Sequence, residues 1–213
     1  MEKIVIVGCG GHARSVLDSV ESMGKYEIAG FIDKEMNGQY RCCGYKIIGT
    51  DADLKTLYDA GIRNACIGIG YMGNGTVRRA LYEKLKQIGF TLPAIIDKTA
   101  AVAMGVKLGE GVFAGKMAVL NTCAVIGTAA IINSGAIIEH DCKVGEFSHV
   151  AVGAVLCGNV SVGNDVLIGA NATVIQGTNI GDGAIVGAGS AVTGDIENKA
   201  VVAGVPARVL KYS

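Results

Sequence analysis

The chain has no surplus of charge: nineteen basic and nineteen acidic side chains cancel over 213 residues. The broad positive field needed to bind nucleic acid or an anionic membrane surface is therefore missing, and neither is expected as a partner. Long apolar runs are missing too. The N-terminus, MEKIVIVGCGG, has no basic stretch leading into an extended hydrophobic segment, and Gly or charged residues interrupt every later apolar run. The expectation is a cytoplasmic protein with neither a targeting leader nor a membrane span. The seven cysteines, at 9, 42, 43, 66, 123, 142 and 157, are odd in number and lack paired metal-ligand spacing. That argues against disulfides and against a bound metal. The adjacent Cys42-Cys43 pair admits a redox reading, but in a loop it carries no chemistry by itself. There is no tryptophan, and only two prolines occur.

What the chain has in excess is glycine, 32 residues of it, in a composition that is 50% hydrophobic. Glycine weakens ordinary helices and strands, so this combination points to a repetitive architecture that needs it. Stepping by six from Val102 gives Leu108, Ala114, Leu120, Ile126, Ile132, Ile138, Val144, Val150, Leu156, Val162, Ile168, Val174, Ile180, Val186 and Val192. The residue four further on in each unit is small or β-branched, from Val106 and Val112 to Ser190 and Ile196. The register holds over residues 102–197, far longer than an amphipathic helix stays in phase. Each unit reads as a short strand and a tight turn with the aliphatic side chain inward. Three units make one triangular coil, and coils stack at about 4.8 Å into a prism roughly 25 Å tall. Solenoids need covered ends, and a domain in front of the repeat is placed to cover one of them, with residues 198–213 leaving the repeat at the other.

Residues 1–97 have a different rhythm. A buried strand at Lys3–Val7 is followed by a helix at Gly11–Met23 and a strand at Glu27–Asp33. After a Gly-rich, hairpin-like stretch come a helix at Asp51–Ala60, a strand at Asn64–Ile69, a helix at Thr76–Ile88 and a strand at Thr91–Ile96. This alternation implies a small parallel α/β sheet, so the fold class is a Rossmann-like α/β unit over 1–97 joined to an all-β repeat unit over 98–213.

Between the first strand and helix, Gly8-Cys9-Gly10-Gly11-His12-Ala13 fits the dinucleotide fingerprint with Ala in its third glycine position. Amides at the helix start favour a diphosphate, and Asp33 at the end of the second strand can accept from a ribose hydroxyl. The motif does not choose between NAD and a sugar nucleotide, and it is equally what a tight turn needs. An NAD-dependent oxidoreductase resting on this turn alone would leave the repeat without a task.

Two of the three histidines, His140 and His149, lie in the repeat. His140 occupies an outward place in its unit, and Gly158, one 18-residue coil later, stacks over it without a side chain. An imidazole there is suited to take a proton from an attacking amine or hydroxyl, with Asp141 or Glu139 fixing its tautomer. A merely solvated histidine is the competing reading.

Five segments together resemble the sugar O- and N-acyltransferases typified by NeuD-like sialic acid O-acetyltransferases and PglD-like bacillosamine-pathway N-acetyltransferases. They are Gly8-Cys9-Gly10-Gly11-His12, Phe31-Ile32-Asp33, Ile138-Glu139-His140-Asp141-Cys142, Gly145-Glu146-Phe147-Ser148-His149-Val150 and Gly204-Val205-Pro206-Ala207. The resemblance spans the whole chain. It implies a left-handed β-helix, a homotrimer with active sites between neighbouring prisms, and acetyl-CoA as co-substrate without a metal. His140 would be the general base and Asp141 the carboxylate behind it, where the bacillosamine enzyme has Glu. His149, Gly158, Ala170 and Ala188 would contact acetyl-CoA. Gly10, Gly11, His12, Asp33, Lys34 and Gly70 would hold a nucleotide-linked amino sugar, with Lys34 standing where that relative has an acid. The implied reaction is N-acetylation of a nucleotide-linked 4-amino-4,6-dideoxy sugar, UDP-linked and of the bacillosamine type. The alternatives are O-acetylation of a sialic acid type sugar and a trimeric nucleotide-sensing scaffold without enzymatic activity.

Overall fold

The computed structural model describes residues 1–34, 41–71 and 75–212. β1 (Glu2–Val7) is an interior strand of the sheet, and its Ile4, Val5, Ile6 and Val7 are buried on both faces, the continuous apolar run of a strand covered from both sides. α1 (Gly11–Met23) and β2 (Tyr26–Ile32) follow. Most of the hairpin-like stretch falls outside the described residues, but its end is seen. β3 (Arg41–Cys42) and β4 (Tyr45–Gly49) pair antiparallel across Cys43 and Gly44, both at positive φ (49° and 92°). A two-residue hairpin loop demands that backbone, and Gly44 supplies it without strain. α2 (Leu54–Asp59), β5 (Asn64–Ile67) and α3 (Thr76–Ile88) complete the unit, with strand order β3-β4-β2-β1-β5 and all pairs parallel except the edge hairpin.

The expected strand at Thr91–Ile96 divides in two. Thr91 makes a single parallel bridge to Asn64, whereas β6 (Ile95–Ile96) leaves the sheet and pairs with Phe113–Ala114 of the prism. Pro93 between them has no N–H to donate to a ladder, so the chain changes sheets there.

The prism is a stack of two-residue strands in three parallel sheets. One face carries the pairs 113–114, 131–132, 149–150, 167–168 and 185–186, a second carries 119–120, 137–138, 155–156 and 173–174, and a third carries 125–126, 143–144, 161–162 and 179–180. The second residue of each pair points inward, and the aliphatic column of Leu120, Ile126, Ile132, Ile138, Val144, Val150 and their successors is buried throughout. Every sixth residue from 105 to 189 has positive φ, and non-glycine residues occupy that place at 117, 123, 129, 141, 147, 159, 165 and 171. The coil geometry thus imposes the left-handed corner, and glycine is one of several residues that take it.

The front unit does not cover an end of the prism. It lies along the first face, where α1 packs against Ile95, Phe113 and Ile131, while Val102 at the open end of the inner column keeps 38% of its surface exposed. The reason lies in the outward residues. Phe113, Ile131, Leu167 and Ile185 make the first face apolar on its outside as well as its inside, so it needs a partner. Nor does the chain leave the repeat after residue 197. Residues Ala200–Gly204 add one more parallel rung beside Ile185–Val186 before the antiparallel return of Ala207–Tyr212.

Two sets of polar contacts fix the unit at both edges of this face. At one edge the buried Asp97 carboxylate accepts from Ser19 Oγ (2.9 Å), Thr99 N and Oγ1 (3.0 and 2.7 Å) and Lys116 Nζ (3.3 Å). At the other, Arg78 Nη2 donates to Ala129 O (2.7 Å) and Arg79 pairs with Asp165 (2.8 Å). No helix among the described residues is long and apolar enough to cross a membrane.

Candidate active site

The strands of the front unit run in the order that places a switch point between β1 and β5, and a crevice of about 640 Å³ opens at their carboxyl ends. Gly10 caps α1 without a side-chain acceptor, no acidic residue sits in its first turn, and a Cβ on Gly10 or Gly11 would meet only open space. The helix start therefore presents bare amides and its positive dipole end to the crevice. Gly68 is the close-approach position: a Cβ there would stand 2.8 Å from Ala13 Cβ and 2.8 Å from Gly8 O. That contact explains why Ala suffices in the third place of the fingerprint. Asp33 Oδ2 accepts from Cys9 N (2.7 Å) and Oδ1 from Lys34 N (2.7 Å), which aims the carboxylate over the turn. His12, Lys34 and Gly70 also line the crevice, so all six residues expected for a nucleotide lie together.

His140 stands on the corner between the second and third faces, the one corner that does not border the covered face. Asp141, held at φ 61°, turns its carboxylate back so that His140 Nδ1 lies 2.9 Å from Oδ2. Glu139 is occupied elsewhere, accepting from Asn121 Nδ2 (3.0 Å) and from the His140 backbone N–H (3.2 Å). Asp141, not Glu139, is thus the carboxylate placed to hold a proton on Nδ1, the tautomer that leaves the lone pair on Nε2. Nε2 lies where a side chain on Gly158 would be, 2.6 Å from an ideal Cβ there. The imidazole is half exposed at 49%, open to a reacting partner.

His149 is not at that corner. It lies on the covered face, its Nε2 taking a hydrogen bond from Asn133 Nδ2 (3.1 Å), its ring tilted against Tyr71 with centroids 6.2 Å apart. Nδ1 has no partner among the described residues, nor does Nε2 of His12, whose ring meets Phe113 edge-on at 5.1 Å. Arg78 lies deep between them, bonded to Ile69 O and Ala129 O, with its Nε unpaired. Burial, followed by the Arg78 charge, pushes the His149 pKa down to about 4 and that of His12 to about 3; burial alone brings Arg78 to about 10. Both junction histidines are neutral at physiological pH and beside a cation.

Within one chain the structure therefore joins His140, Asp141 and Gly158 at one corner. Ala170 and Ala188 stack one coil apart on the corner between the first and second faces, half-buried and exposed respectively. The junction residues Arg78, Asn133 and Tyr71 escaped the sequence reading. A signal existed: the outward residues at 18-residue spacing, Phe113, Ile131, His149 and Leu167, mark the covered face and place a histidine in it.

The PglD N-terminal domain model matches residues 3–85, and a model of the hexapeptide repeat of succinyl-transferase matches residues 159–194. Among solved structures, the chain is similar to a histidine-to-alanine variant of GDP-perosamine N-acetyltransferase from Caulobacter crescentus in complex with CoA and GDP-perosamine. Identity is 34%, 99% of this chain and 98% of that one are covered, and the TM-score is 0.93. The acetyltransferase domain of PglB from Neisseria gonorrhoeae, in complex with acetyl coenzyme A, is 32% identical over 98% and 99% of the two chains with a TM-score of 0.91. PerB from Caulobacter crescentus, in complex with CoA and GDP-perosamine, is 32% identical over 99% and 98%, with a TM-score of 0.81. On this full-length likeness, together with the glycine crevice and the hexapeptide prism, the chain belongs to the PglD/NeuD-like family of acetyl-CoA-dependent sugar acyltransferases, and its prism is the left-handed β-helix of that family.

Proposed function

We propose that the protein transfers the acetyl group of acetyl-CoA to the amino group of a nucleotide-linked 4-amino-4,6-dideoxy sugar, with His140 as general base. The observation that carries this reading is the half-exposed His140 corner: Nδ1 lies against Asp141, and Nε2 occupies the space left by Gly158, the residue without a side chain one coil further on. As the amine nitrogen attacks the thioester carbonyl, His140 Nε2 takes its proton. The tetrahedral intermediate collapses with loss of the thiolate, to which the imidazolium returns the proton. General-base action of this kind contributes about 10²- to 10⁴-fold. Backbone amides are the proposed stabilisers of the oxyanion.

The nucleotide is held in the glycine crevice by Gly10, Gly11, His12, Asp33, Lys34 and Gly70. The family resemblance implies a UDP-linked, bacillosamine-type sugar, and the GDP-perosamine held by the Caulobacter relative supports a GDP-linked one as the second reading.

The active unit is a homotrimer. The crevice borders the covered face and His140 stands on the opposite corner, so one subunit's nucleotide sugar meets the base of another. Face two supports this, since its outward Val119, Ile137 and Val155 are only half-buried in a single chain and lie between the His140 corner and that of Ala170 and Ala188. Contacts to acetyl-CoA from His149, Gly158, Ala170 and Ala188 likewise need two subunits.

Thiol release from acetyl-CoA, followed with a panel of UDP-, GDP- and dTDP-linked 4-amino sugars and with free sialic acid, tests the reaction. Turnover on a nucleotide-linked amine and its loss in His140→Ala are expected. Turnover on sialic acid alone would move the assignment to O-acetylation, and undiminished turnover by His140→Ala would remove the base.

A further inference from the structure

We infer that, of the two nucleotide readings above, the crevice fits the GDP-linked one, and that Asp51 and Lys84 are the residues that read its guanine base. The inference rests on the nucleotide reading of the crevice. With the diphosphate at the start of α1 and the ribose at Asp33, the base lies further along, past the end of β2. There the crevice wall is Ile69, Val77 and Leu81, and its rim is Asp51 and Lys84. Val77 leaves 49% of its surface exposed although it belongs to the wall of a cavity, which suits a flat aromatic face lying on it.

The rim carries the specificity. Asp51 Oδ2 and Lys84 Nζ are 3.9 Å apart, an ion pair too long for a hydrogen bond, and both side chains are nearly half exposed (46% and 43%). A carboxylate and an ammonium thus stand side by side facing the crevice with hydrogen-bonding capacity to spare. The Watson–Crick edge of guanine offers O6 as acceptor beside the two donors N1–H and N2–H. The ammonium matches the first, and the two carboxylate oxygens match the second and third as a bidentate acceptor. Uracil and thymine offer one N–H between two carbonyls, so a carboxylate that accepts from N3–H sets its other oxygen against a carbonyl. Adenine and cytosine each present one amino group and no ring N–H on this edge. The arrangement selects guanine over all four.

Calorimetric titration of the full-length protein with GDP, UDP and dTDP, alone and as the Asp51→Asn variant, tests this without any acetyl transfer. GDP is expected to bind about tenfold more tightly than UDP or dTDP, the difference between charged and neutral hydrogen bonding. Asp51→Asn should weaken GDP by about the same factor and leave UDP within about twofold. UDP or dTDP binding as tightly as GDP, or an unchanged GDP-to-UDP ratio in Asp51→Asn, would overturn the guanine assignment while leaving a nucleotide in the crevice. Failure of all three diphosphates to bind would overturn the crevice reading itself, and the guanine assignment with it.

Discussion

His140 and His149 are nine residues apart, which is half a coil, and the prism carries them to opposite sides of itself. At the His140 corner the imidazole is open, its Nδ1 engaged by a carboxylate and its Nε2 bare. At the junction His149 is enclosed between the prism and the front unit, its Nδ1 unpaired and Arg78 nearby. The same side chain is thus left open beside a carboxylate in one place and held neutral in the other. What separates them is tertiary cover, which removes water from one and leaves the other in it.

The contrast is broken most severely by His140→Ala. It should lower kcat by about 10²- to 10⁴-fold while leaving the thermal midpoint within a degree or two, since the side chain is half exposed. A large drop in midpoint would show that the corner is structural.

The junction responds to acid instead. The folded-state pKa values of His149 and His12, about 4 and about 3, lie below the ordinary histidine value, so the unfolded chain binds protons that the folded chain refuses. Their contribution to stability is complete above about pH 6.5 and is lost as the pH falls toward 4 and then 3, on the order of a few kcal/mol each. Denaturant melts between pH 7 and 4 should show this slope, and His149→Gln should make it shallower. An equal slope in the variant would place the acid sensitivity elsewhere. Asp97 acts only at lower pH: burial raises its pKa, but the hydrogen bonds from Thr99, Ser19 and Lys116 outweigh that and hold it near about 2. Its share is therefore lost between about pH 4 and 2.

Gly158→Ala should cost about ten- to a hundredfold in kcat, because the added methyl displaces the imidazole from its place and alignment errors of this size are costly. Retained activity would mean that His140 works from a different rotamer. Asp141→Asn should have the smallest effect, about tenfold in kcat with KM for acetyl-CoA little changed. The amide oxygen still accepts from Nδ1 but without its charge. Steady-state kinetics on both variants decide the order.

Much of this was legible in the sequence. α1 and α3 begin and end where the apolar spacing and flanking glycines place them, and the inward column follows the six-residue step without a slip. His140, Asp141 and Gly158 fall together because stacking at 18 residues is arithmetic once the coil is known. The strand at Thr91–Ile96 was misplaced because β propensity does not say which of two sheets a strand joins. Arg78 was passed over because a cation on an amphipathic helix ordinarily faces water, and only the prism's approach buries it.

The sequence by itself determined everything that depends on local period and stacking: the prism, its corners, the glycine turn, and the column that sets Gly158 over His140. The tertiary structure alone decided which face of the prism the front unit covers, and with it which histidine is dry and which is open. The inward residues are nearly alike on all three faces, so the choice lies in the outward ones. Only packing two surfaces together shows that Phe113 and Ile131 bury α1 while His140 is left outside.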